Sequence, residues 1–137
     1  MLPKTNRIVR GDDYRTAVRR GRRSATAHVV VSVVHRTTSD PTRFGFIVSK
    51  AVGNAVTRNL LRRRFKGIAH DIVLEHPTGY DVAIRALPAA AQADWLTLVA
   101  DVNRSFDRSV AAAGPARGVA AAVSDRSVRP IDGVREA

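Results

Sequence analysis

Apolar positions along this chain fall into alternating helical and extended rhythms, and their order predicts six elements. Tyr14, Ala17 and Val18 recur at helical spacing between a start at Gly11 or Asp12 and a stop at Gly21. The β-branched series Val29, Val30, Val31, Val33 and Val34 reads as a strand, and Phe44 to Val48 as a second. Thr37 to Thr42, with Asp40 and Pro41, forms the loop between them, so the two strands are expected to pair antiparallel. Gly53 and Asn54 open a long helix to about Glu75, in which Leu61, Phe65, Ile68 and Ile72 step by four, three and four and face the core. His76, Pro77, Thr78 and Gly79 break it. A strand follows over Tyr80 to Ala86, closed by Pro88, then a last helix from about Ala90 to Val110 with Trp95, Val99, Val102 and Phe106 on one stripe.

The two ends lack such rhythm. Residues 1–11 carry Lys4, Arg7 and Arg10 and read as a basic arm that orders mainly on a partner. Beyond Ala111 the chain is rich in Ala, Gly, Arg, Ser and Asp, with Pro115 and Pro130 and no aromatic residue, and residues 113–137 are expected to be a disordered tail. One domain over residues 1–112 accounts for the rest, because 137 residues are too few for two ordinary cores.

Charge narrows the partner. The chain has 23 Lys and Arg against 12 Asp and Glu, a net charge of +11, and all but three of the cations are arginine. Arginine grips phosphate with a planar fork and stacks on bases, so this bias points to nucleic acid. The plain alternative, cations scattered over a solvated surface, predicts no clustering. At about 100° per residue, however, Arg58, Arg62 and Lys66 stack at successive i to i+4 positions, with Asn59 and Arg63 on the adjoining row. One helix thus carries an apolar face and a basic ridge. Its N-terminus, at Gly53, Asn54 and Ala55, with Lys50 just upstream, offers unpaired N–H groups to an anion.

Other classes find less support. There is no cysteine, hence no disulfide frame or thiolate metal site, and a cytoplasmic protein is the default. The longest apolar run, His28 to Val34, is far below the roughly 20 residues that span a bilayer, so no membrane association is expected. A protein nuclease would need convergent carboxylates or a histidine acid and base. Asp12 and Asp13 open a helix, Asp71 and Glu75 form a single i to i+4 pair, and His28, His35, His70 and His76 lack metal-ligand spacing. No catalytic or metal-holding residue is assigned.

The string Arg43-Phe-Gly-Phe-Ile-Val-Ser-Lys-Ala-Val-Gly-Asn-Ala-Val-Thr-Arg-Asn-Leu-Leu-Arg-Arg-Arg-Phe-Lys66 resembles the signature of the bacterial ribonuclease P protein family. In that signature a Gly-Asn-Ala-Val turn leads into an Arg-Asn-Arg helix. Asp12-Asp13-Tyr14 through Gly21 resembles the family's first helix, and Tyr80 to Ala86 its last strand, so the likeness runs from residue 5 to about 110.

The resemblance implies an α+β fold, a sandwich of order α-βββ-α-β-α like domain 2 of ribosomal protein S5, with a left-handed βαβ crossover. The general preference for right-handed crossovers would give the opposite hand. It also implies a non-catalytic protein subunit, one per RNA, of the ribonucleoprotein that removes the 5′ leader from precursor tRNA. The RNA subunit would do the chemistry with Mg²⁺ that it mainly holds itself, and the protein would broaden substrate recognition and aid use of the metal.

Lys50, Asn54, Arg58, Asn59, Arg62, Arg63 and Lys66 would contact the ribonuclease P RNA, and a cleft at Tyr14, Val18 and Ser32 would hold the leader. Three positions depart from the pattern. Leu60 stands where the motif has its second Arg, Arg64 adds a cation nearby, and Val18 and Ser32 replace residues that are often aromatic. A generic ribosomal-type RNA-binding protein is the alternative that shares this sandwich and basic helix.

Overall fold

A computed structural model describes residues 2–36 and 39–113. Three helices, α1 (Gly11–Arg20), α2 (Ala55–Glu75) and α3 (Trp95–Ala113), surround four strands, β1 (Arg22–Ala25), β2 (Val29–His35), β3 (Arg43–Ile47) and β4 (Tyr80–Ala86). Short 3-10 turns occupy Lys4–Asn6 and Pro88–Gln92. This is the expected α+β order. The strands form one mixed sheet in the order β1-β2-β4-β3. The α2 crossover joins the parallel pair β3 and β4, while β1–β2 and β2–β4 are antiparallel.

The sheet order corrects the expected pairing of β2 with β3. β4 lies between them, because Val82, Ala83 and Ile84 are buried in succession, and a strand apolar on both faces belongs in the middle of a sheet. The loop from β2 to β3 passes the end of β4 and is tied there by Arg36 N–H to Gly79 O (2.7 Å), Gly79 N–H to Asp40 O (3.0 Å) and Thr42 N–H to Pro77 O (2.9 Å). The polar strand β1 escapes an apolar-pattern search. Only Ser24 of its four residues is buried, opposite Val31.

One face of the sheet carries the main core. Val29, Val31, Val33, Val82 and Ile84 meet Leu61, Phe65, Ile68 and Ile72 of α2 and Leu98, Val102 and Phe106 of α3. A relay of rings crosses this layer: Phe65 to Phe46 at 6.2 Å, Phe46 to Phe44 at 6.4 Å and Phe44 to Phe106 at 6.4 Å between centroids. The four α2 residues face inward as their spacing predicts.

The α3 stripe is shifted from its expected register. The helix starts at Trp95, not near Ala90, because Asp94 caps it, its Oδ1 accepting from Thr97 N–H at 2.8 Å, while Ala93 remains extended. Leu98, Val102, Phe106 and the small Ser105 and Ser109 turn inward, whereas Trp95 is 42% exposed. The helix also continues through Ala113. Residues 114–137, with nearly all of the expected tail, lie outside the described residues.

The N-terminal segment is docked without a partner, contrary to the expectation of a loose arm. Leu2 is fully buried and Ile8 nearly so, and Asn6 Nδ2 donates to Thr42 O at 2.8 Å. Arg7 bridges Phe44 in parallel, and Ile8 N–H donates to Phe44 O at 2.9 Å. Two buried aliphatic side chains outweigh the local polarity.

Candidate nucleic-acid interface

The turn before α2 is built by backbone bonds, Val52 N–H to Ser49 O (3.1 Å) and Gly53 N–H to Lys50 O (3.2 Å), with Lys50 exposed at its head. Asn54 is the helix cap: its Oδ1 accepts from Thr57 N–H at 2.9 Å. That fixes its carbonyl to the fold and leaves its amide NH₂ for a ligand. Arg58 folds back, Nε donating to Gly53 O at 3.1 Å, and so braces the turn.

One turn further on, a groove of about 520 Å³ runs along the outer side of α2, lined by Asn59, Arg62, Arg63, Lys66 and Gly67. Arg62 is oriented by Asn59 Oδ1 at 3.0 Å and Val48 O at 3.4 Å. Among the described residues no carboxylate lies within ion-pairing distance of Lys50, Arg58, Arg62, Arg63, Arg64 or Lys66. The ridge therefore keeps its full positive field for an anionic partner. Leu60 sits on the flank of this helix, 38% exposed. Arg64, one turn on, donates to Ala93 O at 3.1 Å, so part of its donor set holds the turn before α3 rather than replacing the motif's arginine.

Tyr14, Val18 and Ser32 belong to the opposite face of the sheet, on the side of α1. Ser32 is in register with Ala83, and Ala83 with Gly45, and Tyr14 lies over Gly45. A Cβ on Gly45 would stand 2.4 Å from the Tyr14 ring, so only glycine admits the aromatic there. Tyr14 Oη accepts from Phe46 N–H at 2.7 Å and donates to Phe46 O at 3.3 Å. Burial pushes the phenol pKa up, against the opposing pull of the Phe46 bond and the Arg62 charge. The phenol is thus a protonated donor at neutral pH. Ser32 is only 4% exposed and floors this region, while Val18 is half-buried beside it.

The two predicted surfaces meet at the outer edge of β3. Phe44 O, Phe46 N–H and O, and Val48 O recur at every second residue and are taken by Ile8 N–H, Tyr14 Oη and Arg62 Nη2 respectively. Tyr14 and Arg62 thus share a border. The apolar pattern gave no sign of the ion network below it, where Arg43 forks onto Asp81 at 3.0 and 2.8 Å and reaches Asp13 at 3.2 Å. Asp81 also faces Arg36 at 3.5 Å. Arg85, exposed on the same face in register with Val30 and Ile47, was also missed. Its signal was the alternation of Asp81, Ala83 and Arg85 along β4.

The acids and histidines weighed as catalytic have ordinary contacts. Asp12 pairs with Arg15, Asp13 with Arg43, and Asp71 lies exposed beside His70. His28 Nδ1 meets Asp101 at 2.6 Å, and Thr26 Oγ1 donates to the same carboxylate at 3.0 Å, pinning the β1–β2 turn to α3. His35 stacks on Tyr80, and His76 stands edge-on to Tyr80 and Phe106. Among the described residues no group of three or more His, Asp or Glu could hold a metal ion. None of the described helices is long and apolar enough to cross a membrane.

The family model described as Ribonuclease P matches residues 2–110. The chain belongs to the ribonuclease P protein family. It is 46% identical over 110 residues to the ribonuclease P protein component of Clavibacter michiganensis, covering 80% of this chain and 97% of that one. Against the corresponding protein of Kocuria rhizophila the identity is 48% over 110 residues, covering 80% and 96%. The RNase P protein of Staphylococcus aureus superposes with a TM-score of 0.67 at 25% identity, covering 76% of this chain and 94% of that structure. As a ribonuclease P protein component, the chain associates with ribonuclease P RNA in tRNA processing, and the generic ribosomal-type alternative is not favoured.

Proposed function

We propose that the α2 ridge, through Lys50, Asn54, Arg58, Asn59, Arg62, Arg63 and Lys66, is the surface that grips the catalytic RNA. In the same reading the α1 side of the sheet, around Tyr14, Val18 and Arg85, receives the 5′ leader of precursor tRNA. The observation that carries this is the groove lined by Arg62, Arg63 and Lys66, whose cations have no carboxylate partner among the described residues. A helix fixed by four buried side chains presents these charges in one geometry, which lets each phosphate contact form without reordering the backbone.

The protein's work is positioning. It screens phosphate repulsion between RNA and substrate, and the border at Tyr14 and Arg62 sets the leader against the RNA-facing helix. Hydrolysis and the Mg²⁺ it needs belong to the RNA, with one protein per RNA, in the cytoplasm. Adding the protein to ribonuclease P RNA is expected to raise precursor tRNA cleavage at low Mg²⁺, where on this reading the RNA alone is slow. Unchanged cleavage there refutes the reading.

A further inference from the structure

Trp95 is the sole tryptophan of the chain, yet it is 42% exposed at the first turn of α3 instead of filling the core. Its neighbour across the helix pair is Gly67: a Cβ built there would lie 3.5 Å from Trp95 Cη2. Gly67 also lines the groove of Asn59, Arg62, Arg63 and Lys66. The indole therefore meets the basic groove at Gly67. Leu60 lies two turns before Gly67 on the same flank and is itself 38% exposed. Arg64, between them, holds Ala93 O at 3.1 Å and so fixes the approach of the turn that carries Trp95. Two exposed apolar side chains, Leu60 and Trp95, thus flank the row of groove cations, with Arg64 between them.

Exposed indole and basic groove together have the layout of a single-strand site, in which cations track the backbone and an aromatic face takes a base. We infer that Trp95 is a stacking platform for an unpaired base of the RNA partner, whose phosphates lie in the groove at Arg62, Arg63 and Lys66. The inference rests on the reading of α2 as the RNA-facing helix. Charge complementarity selects the occupant, because a protein partner with an apolar face would have to bury Arg62, Arg63 and Lys66, which no acid among the described residues pairs.

The lone tryptophan supplies its own probe. Titrating the full-length protein with ribonuclease P RNA, indole emission is expected to be quenched with the same midpoint as a filter-binding curve. Trp95→Leu, which keeps apolar bulk but loses the π-face, is expected to weaken RNA binding on the order of tenfold with the salt slope unchanged, and Trp95→Phe to restore most of it. Arg62→Ala with Arg63→Ala should instead lower the slope, by about 0.7 to 0.9 per lost phosphate contact. Unquenched emission with full affinity in Trp95→Leu, while the arginine pair still weakens binding, overturns the platform and leaves the ridge standing. Full affinity in all variants overturns both. An emission shift that follows protein concentration without RNA makes this face a protein–protein surface and also overturns the platform.

Discussion

Two sets of arginines flank β3, and they are treated in opposite ways. Arg43 and Arg36, on the α1 side, are matched to Asp81, Asp13 and Asp40, and the central carboxylate, Asp81, is only 8% exposed. Among the described residues the hydrogen bonds of Arg58, Arg62 and Arg64, on α2, go to neutral oxygens at Gly53, Asn59, Val48 and Ala93. A neutral acceptor orients a guanidinium without cancelling its charge. The first set spends its charge inside the fold and the second leaves it available to an anionic partner, so composition alone overstates the binding surface.

The difference can be broken at several points. Phe65→Ala removes the ring that joins α2 to Phe46 and should cost about 3–5 kcal/mol, lowering the thermal midpoint and abolishing RNA binding together, since the ridge has no scaffold without it. Arg43→Ala leaves Asp81 short of its bidentate partner with Arg36 alone to answer it, and about 2 kcal/mol of stability should be lost in denaturant titration. The salt dependence of RNA binding should not move.

Tyr14→Phe is expected to cost about 1 kcal/mol, the net worth of a hydrogen bond. Because the folded phenol pKa is raised, its contribution is fully present below the unfolded value of about 10 and is lost as pH rises through the folded value. An alkaline melt series should therefore show a loss that is smaller in Tyr14→Phe. Arg62→Ala with Arg63→Ala should change stability least, within about 0.5 kcal/mol, while flattening the salt dependence of RNA binding. An unflattened slope makes the ridge an ordinary solvated face.

Much of this was legible because α2 obeys a single period. Leu61, Phe65, Ile68 and Ile72 announced the buried face, and the cations between them announced the other. Strand order was not, since it depends on which strand is apolar on both faces, and β4 reads as such only once its neighbours are known. Trp95 misled because a large apolar residue at helical spacing counts as core by pattern, whereas the cap at Asp94 sets the register that leaves it outside. Leu2 and Ile8 were lost among charges, though two aliphatic side chains suffice to dock a short segment. Tyr14 was singled out by position, but that it hydrogen-bonds a strand edge follows from Gly45, a contact more than thirty residues away in sequence.

The covered edge of β3 has a consequence for how the protein survives before it meets its RNA. A free strand edge is a template on which another copy of the chain can add a strand, and a highly charged protein awaiting a large partner is exposed to that hazard throughout its unbound life. Here Phe44 O, Phe46 N–H and O, and Val48 O are already spoken for by Ile8, Tyr14 and Arg62. The residues that guard against self-aggregation are therefore partly those proposed to meet the RNA, and on that proposal resistance to aggregation and readiness to bind have to be selected together.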